Sequence, residues 1–140
     1  MGDKRKIVCL LIMFLSVIII VTLSGNKQPS EEKQLLDKMK EYETNLVEIY
    51  NQDDFTDDQW IESYRIIGLE FTNYNCEYVG NDLDVRNLVQ LYSVYGNQML
   101  IVADLLETGR YEEAIEELEE IQEMSNELEK ALGEVYESYN

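Results

Sequence analysis

Histidine is absent from this chain of 140 residues. Because histidine is the commonest general base and a frequent metal ligand, its absence excludes Ser-His-Asp and Cys-His catalysis. It also excludes histidine-ligated haem and the Glu-x-x-His di-iron centres found in helical bundles. No other catalytic or cofactor motif is present, so we expect a protein that is not an enzyme and that holds no cofactor and no resident metal. A carboxylate-dependent hydrolase stays open only because no pair stands out among the 29 acidic residues.

Cysteine and proline are nearly absent as well. Of the two cysteines, Cys9 lies inside an apolar run, which leaves Cys76 as the only thiol in the rest of the chain. An intramolecular disulfide is therefore impossible there, and packing must hold the fold together. The single proline, Pro29, lies in a short polar linker at residues 26–30.

Basic residues are few, 11 against 29 acidic ones, and the formal net charge is −18. Residues 1–25 hold three basic side chains and one acidic one, whereas residues 26–140 hold eight basic and 28 acidic ones, a net charge of −20. Such a surface repels phosphate backbones, so we expect no nucleic-acid binding. Cations and basic proteins are the partners that it favours.

The N-terminus, residues 1–25, has the pattern of a signal anchor or signal peptide. Lys4, Arg5 and Lys6 precede an uncharged run of 17 residues from Ile7 to Leu23. Positive residues stay on the cytoplasmic side, so this pattern predicts a single membrane pass with the N-terminus in the cytoplasm and the C-terminal domain outside, as in a bacterial-type envelope. The run is short for a spanning helix and long for a signal-peptide core, so secretion after cleavage near Ser24 is the alternative.

Beyond the linker, apolar residues recur at alternating spacings of three and four, which predicts four helices within residues 31–140. The predicted core-facing residues are Leu35, Met39, Tyr42, Leu46 and Ile49 in the first helix; Trp60, Tyr64, Ile67, Phe71, Tyr74 and Tyr78 in the second; Val85, Leu88, Tyr92, Tyr95, Met99, Val102 and Leu106 in the third; and Tyr111, Ala114, Leu118, Ile121, Ser125, Leu128, Leu132, Val135 and Tyr139 in the fourth.

Local motifs predict where these helices begin and end. Ser30 is expected to cap the first helix, Thr56 and Gln59 to form a capping box at the second, and Asp82 to cap the third. Gly80 is expected as the C-terminal cap of the second helix, and Thr108-Gly109 as the stop of the third. Gly68 and Gly96 fall within helices, where glycine usually indicates a close approach of two backbones.

One apolar face per helix and three short connections predict an all-α fold, an antiparallel up-down four-helix bundle that follows the N-terminal anchor. We expect the helices to be matched in length, at about 21–29 residues each.

Two acidic clusters have ordinary explanations. The residues Asp53, Asp54, Asp57 and Asp58 do not follow the EF-hand pattern and are interpreted as helix caps. The glutamates from Glu112 to Glu120 are interpreted as a solvated, coiled-coil-like helix face.

Tyrosine is abundant, with ten copies, and a buried tyrosine needs a partner for its hydroxyl. The tyrosines either lie at the bundle ends and core margins with solvated hydroxyls, or they line a groove for a ligand or partner. For the second alternative the candidate groove residues are Tyr64, Tyr74, Tyr92 and Tyr95. The leading functional hypothesis is a membrane-anchored, extracytoplasmic interaction module that docks a partner protein in the cell envelope. The alternative is an exported protein that binds a small ligand or metal cation in the tyrosine-lined groove. Partner identity and oligomeric state are left open by the sequence.

Overall fold

The structure is a computed structural model that describes residues 29–52 and 54–140. The predicted anchor at Ile7–Leu23 lies outside the described residues, as does Asp53. Within the described part the chain is entirely helical, with four helices and no strand. They are α1 at Glu31–Tyr50, α2 at Asp58–Glu77, α3 at Leu83–Glu107 and α4 at Tyr111–Ser138. The prediction of an all-helical bundle is confirmed for these residues.

Hydrogen bonds at the two ends of the bundle show how neighbouring helices run. At one end Tyr139, directly after α4, donates to Asp82 before α3. Tyr78 after α2 donates to Glu32 of α1, and Lys33 of α1 donates to Asn140. At the other end the indole of Trp60 in α2 donates to the carbonyl of Ile49 in α1 at 2.9 Å. In each pair the start of one helix lies beside the end of its neighbour, so adjacent helices are antiparallel.

Most of the predicted caps are confirmed. Ser30 accepts from the amide of Lys33 at the start of α1, and Asp82 accepts from Asp84 and Val85 at the start of α3. Gly109, with φ +73°, follows the end of α3 and is the only described residue with a left-handed backbone. Side-chain oxygens satisfy amides that would otherwise have no partner, which is why these residues mark the helix starts.

Two of the predicted caps are wrong. The capping box at Thr56 does not form, because Asp54 accepts both the amide and the hydroxyl of Thr56, at 3.0 and 2.6 Å. Asp57 caps α2 instead and accepts from Gln59 and Trp60. Gly80 does not adopt the left-handed conformation, since α2 ends in an extended Tyr78 whose hydroxyl accepts from the amide of Asp82.

The predicted core is largely confirmed, with shifts at its margins. Every predicted core residue of α3 is buried, as are Trp60, Tyr64, Ile67, Phe71 and Tyr74 of α2. In α1 the predicted residues Met39, Leu46 and Ile49 are buried. Leu36 is buried in place of Leu35, which is half-buried, as is Tyr42. In α4 the buried residues are Ala114, Ile121, Leu128 and Leu132, and Tyr111 is exposed.

The helices differ in length and in closeness of packing. They have 20, 20, 25 and 28 residues, close to the expected range of about 21–29, although α4 is clearly longer than α1 and α2. The helices α2 and α3 pack together most closely, and α1 packs against its two neighbours far more sparsely. A groove between α1 and α4 is the consequence.

Candidate ligand groove between the first and fourth helices

The four tyrosines predicted to line a groove lie in the core. Tyr64, Tyr74, Tyr92 and Tyr95 all have 0% of their surface exposed. Phe71 packs among three of them, with ring centroids 4.9 Å from Tyr92, 5.7 Å from Tyr95 and 5.8 Å from Tyr74. These rings face inward because they lie on the core-facing sides of α2 and α3. Contact of any of these tyrosines with a ligand stays a prediction. A ligand could reach them only if α1, which covers them, moved aside.

The hydroxyls of three of these tyrosines point toward α1 and α4. Tyr92 donates to a carboxylate oxygen of Glu43 at 2.7 Å, and the Tyr64 hydroxyl pairs with that of Tyr50 at 3.2 Å. The Tyr95 hydroxyl is buried beside the hydroxyls of Tyr50 and Ser125. Tyr50 and Ser125 lie close enough to the Tyr95 hydroxyl to influence its pKa, which burial raises. The tyrosine core thus ends in a layer of polar atoms beneath α1.

Two adjoining cavities lie above this layer, and together we call them the α1–α4 groove. The polar half has a volume of about 310 Å³ and is lined by Lys40, Glu43, Thr44, Leu46, Val47, Tyr50, Ser125, Glu129, Leu132 and Gly133. The apolar half has a volume of about 500 Å³ and is lined by Val47, Tyr50, Ile115, Leu118, Glu119, Gln122, Ser125, Asn126 and Glu129. The two cavities adjoin, since they share the lining residues Val47, Tyr50, Ser125 and Glu129.

The apolar half of the groove is open because α1 stops early along α4. The hydrogen bond from Tyr136 to Asp37, 2.8 Å long, sets the register of these antiparallel helices. Equal steps along both helices bring the end of α1 at Tyr50 level with about Glu123, so the first turns of α4 extend beyond α1. Apolar surface is left uncovered there: Val47 is 57% exposed, and Tyr50 and Ile115 are each 43% exposed.

Glu43 is the electrostatically unfavourable member of the groove. Burial raises the pKa of Glu43, repulsion from Glu129 raises it further, and the hydrogen bond from Tyr92 acts in the opposite direction. No described lysine or arginine forms an ion pair with Glu43 or Glu129. The nearby Lys40 instead places its ammonium 4.0 Å from the ring centroid of Tyr136. A half-buried carboxylate that has no cation beside it lowers the stability of the fold.

We expect Glu43→Gln to raise the stability of the bundle at pH 7 by about 0.5–1 kcal/mol. The amide oxygen can still accept the Tyr92 hydrogen bond, while the desolvated charge and its repulsion from Glu129 are removed. Since the pKa of Glu43 is raised on folding, the folded state binds the Glu43 proton more tightly than the unfolded state does. The stability difference between the variant and the wild type should therefore become smaller as the pH falls. Below the ordinary carboxyl pKa of 4.5 the difference should vanish.

Urea unfolding at several pH values measures this effect. Glu48→Gln is the matched control, because Glu48 is an exposed glutamate on the same helix and its substitution removes the same charge. That control should stay within about 0.5 kcal/mol of wild type. Equal gains in both variants would mean that overall charge, rather than the groove, limits stability.

The other acidic groups do not form a second site of this kind. Asp54 accepts two hydrogen bonds from Thr56 in the turn before α2. Asp57 caps α2 and accepts from the amide of Gln59. Among the described residues no cluster of three or more potential ligands is arranged to hold a metal ion. The polar half of the groove offers hydrogen-bond acceptors, namely the carboxylates of Glu43 and Glu129 and the hydroxyls of Thr44, Tyr50 and Ser125.

Sequence reasoning missed Glu43, Tyr50 and Glu129 as groove residues. Glu43 and Tyr50 each follow a predicted core residue of α1 by one position, so spacing alone places them at the margin of the core. Ser125 could have been identified as a groove residue from the sequence, because it is the one residue with a small hydroxyl side chain on the predicted core face of α4.

Comparison with protein-family models, with curated proteins and with solved structures finds no match to this chain. No helix among the described residues combines the length and apolar character needed to cross a membrane.

Proposed function

We propose that this protein is a membrane-anchored, extracytoplasmic interaction module whose acidic helical bundle docks a partner protein in the cell envelope. The observation that carries the proposal is the α1–α4 groove, where exposed apolar side chains lie beside carboxylates. The N-terminal pattern of a basic segment followed by Ile7–Leu23 supports the membrane location, and the charge of −20 over residues 26–140 supports a basic partner.

The groove fits one kind of partner segment, an amphipathic helix with a basic face. Val47, Tyr50 and Ile115 provide apolar contacts from two helices, and Leu118 adds to them from the floor. Glu119 and Glu129 stand at the edges of the same surface, where they can pair with lysine or arginine. A partner helix would lie beside the first turns of α4, beyond the end of α1, in the manner of helix-in-groove recognition.

Site-specific photo-crosslinking in intact cells tests this proposal. A photo-reactive residue at position 115 of the full chain should give one discrete adduct, and Val47→Asp should abolish it by placing a charge in the apolar half. The same residue at position 91 is the matched control, because Leu91 is 51% exposed but lies on α3 outside the groove. Equal adducts from both positions, or none from position 115, would contradict docking in the groove.

Cys76 provides the accompanying test of location. Its side chain is exposed, so a membrane-impermeant maleimide should label it in intact cells if the bundle is outside the cytoplasm. Cys9→Ser removes the second thiol and Cys76→Ser gives the background. Labelling that requires cell lysis would place the bundle in the cytoplasm.

A further inference from the structure

We propose that the loop between α2 and α3, residues 79–83, touches the lipid surface and holds the bundle upright on the membrane. We call this loop the tip. The inference rests on the proposed function for the membrane anchor, and it deepens that function by naming the part of the bundle that meets the lipid.

The tip carries the two most exposed large apolar side chains among the described residues. Val79 is 78% exposed and Leu83 is 65% exposed. Neither side chain belongs to the hydrophobic core. A single exposed apolar side chain is ordinary on a protein surface, whereas two on one exposed loop can leave water together when an apolar phase comes near.

The tip lies at the end of the bundle where the described chain begins. Tyr78, which directly precedes the tip, donates a hydrogen bond of 3.4 Å to Glu32 in the first turn of α1. Helix α1 itself begins at Glu31, two residues after Pro29. The start of α1 and the tip therefore share one end of the bundle.

The predicted anchor joins the bundle at this same end. Five residues, 24–28, separate Leu23 from Pro29, and a chain of this length reaches at most about 20 Å. An anchor at Ile7–Leu23 thus keeps the tip close to the membrane. Helix α3 has 25 residues and runs away from the tip, which places the far end of the bundle about 35 Å farther out. The apolar half of the α1–α4 groove lies toward that far end, where a partner helix can approach it from water.

Hydrogen bonds hold the tip in one conformation. The Tyr78 hydroxyl accepts from the amide of Asp82 at 3.1 Å, and the guanidinium of Arg86 donates to the carbonyl of Gly80 at 2.8 Å. The ring of Tyr78 lies so close to Gly80 that a Cβ atom there would overlap it. These contacts fix the backbone and leave the two apolar side chains exposed. A loop that is already ordered loses little conformational entropy when it meets a surface, and this favours the contact.

The charges around the tip favour an uncharged lipid surface. Gly80 and Asn81 carry no charge, and the carboxylate of Asp82 accepts hydrogen bonds within the bundle. The exposed Glu77 and Asp84 flank the tip, so a strongly anionic surface would repel it. Two apolar side chains are too few to hold a free domain on a membrane. An anchored domain needs less, because its tether keeps it at a high effective concentration beside the lipid.

Spin labelling of the full-length protein in phosphatidylcholine vesicles tests the inference. Asn81→Cys, in a background of Cys9→Ser and Cys76→Ser, places a nitroxide on the tip and leaves Val79 and Leu83 intact. Oxygen concentrates in lipid and a nickel chelate stays in water, so their collision rates with the nitroxide report its depth when both are present on both sides of the vesicle. The label at position 81 should favour oxygen over the chelate by about threefold or more, relative to the same label at position 52. Gln52 is the matched control, because it is also an exposed amide side chain but lies at the far end of the bundle. Equal ratios at the two positions would overturn the inference.

A pair of double variants shows whether the apolar side chains make the contact. Val79→Ser with Leu83→Ser should return the label at position 81 to the ratio found at position 52. Leu91→Ser with Val94→Ser is the matched control, since these residues are 51% and 53% exposed and lie two to three turns further along α3. That control should leave the label on the tip unchanged. Circular dichroism melts of both pairs check that the helices are retained. An equal loss in both pairs would mean that the bundle lies on its side, which would overturn the upright orientation.

The outcomes separate this inference from the proposed function. A protein that floats with the vesicles while its label at position 81 stays in water would overturn this inference alone, and the photo-adduct at position 115 would still support docking. A protein that does not float with the vesicles would overturn the membrane location and this inference with it. A shielded label at position 81 without any photo-adduct at position 115 would support this inference and overturn only the docking proposal.

Discussion

Gly96→Ala should destabilise the bundle by about 1–3 kcal/mol, although alanine is the better helix former by about 1 kcal/mol. A Cβ atom at Gly96 would lie 2.5 Å from the carbonyl oxygen of Gly68, 2.8 Å from the Thr72 hydroxyl and 2.9 Å from the Cβ of Phe71. The nearest of these is backbone of α2, so a rotamer change cannot relieve the clash. The helices α2 and α3 would have to move apart at their most extensive contact, and the melting temperature should fall by several degrees.

Gly133→Ala is the matched control for this prediction. Gly133 also lies within a helix. Apart from the neighbouring backbone of that helix, no atom comes within 4 Å of a Cβ built at this position. The substitution should therefore stabilise the protein by about 0.5–1 kcal/mol. Thermal and urea unfolding of both variants measure the contrast, and a stabilising effect of Gly96→Ala would show that the close approach of α2 and α3 is not as described.

Asp82→Ala should destabilise the bundle by about 2 kcal/mol. Asp82 accepts hydrogen bonds from the amides of Asp84 and Val85, at 2.9 and 3.0 Å, and also from the hydroxyl of Tyr139. The substitution removes the cap of α3 and the hydrogen bond that ties α4 to it, and each is worth roughly 1 kcal/mol.

Two further variants divide this effect into its parts. Asp57→Ala removes a helix cap that accepts no cross-helix hydroxyl, and it should cost only about 1 kcal/mol. Tyr139→Phe should cost about 1 kcal/mol in the wild-type background and close to nothing in the Asp82→Ala background. If the two substitutions are instead additive, the Tyr139–Asp82 hydrogen bond contributes nothing to stability.

The pH dependence of the Asp82 contribution has a definite sign. The hydrogen bond from Tyr139 lowers the pKa of Asp82, and the amides at the start of α3 lower it further. Because the folded state favours the charged form, the stabilisation is present above the ordinary pKa of 3.8 and is lost as the pH falls through the lower, folded-state value. The direction is opposite to that expected for Glu43, whose pKa is raised.

Much of the fold could be predicted because helical periodicity and capping are local properties. The spacing of apolar residues identified four helices, and Ser30 and Asp82 marked two of their starts correctly. The failures at Thr56 and Gly80 arose where a neighbour competed: Asp54 accepts the hydrogen bonds of Thr56, and the Tyr78 hydroxyl accepts from Asp82 and holds the turn around Gly80. Such competition depends on which side chains meet in three dimensions.

The candidate site was much less predictable. Periodicity placed Tyr64, Tyr74, Tyr92 and Tyr95 on the core face, and they are buried there, but it could not show how far α1 would cover them. It also gave no reason to pair Glu43 with Glu129, which lie on different helices far apart in the chain.

The amino-acid sequence by itself determined the charge, the number of helices and the face that each helix buries, because these depend on composition and on a spacing of 3.6 residues per turn. It also indicated the close contact at Gly68 and Gly96, since glycine within a helix has few other uses. Only the tertiary structure decided how α1 lies along α4 and where a groove opens between them. The relative offset of two helices depends on the sum of many side-chain contacts, and a shift of one turn changes which residues face each other across a groove.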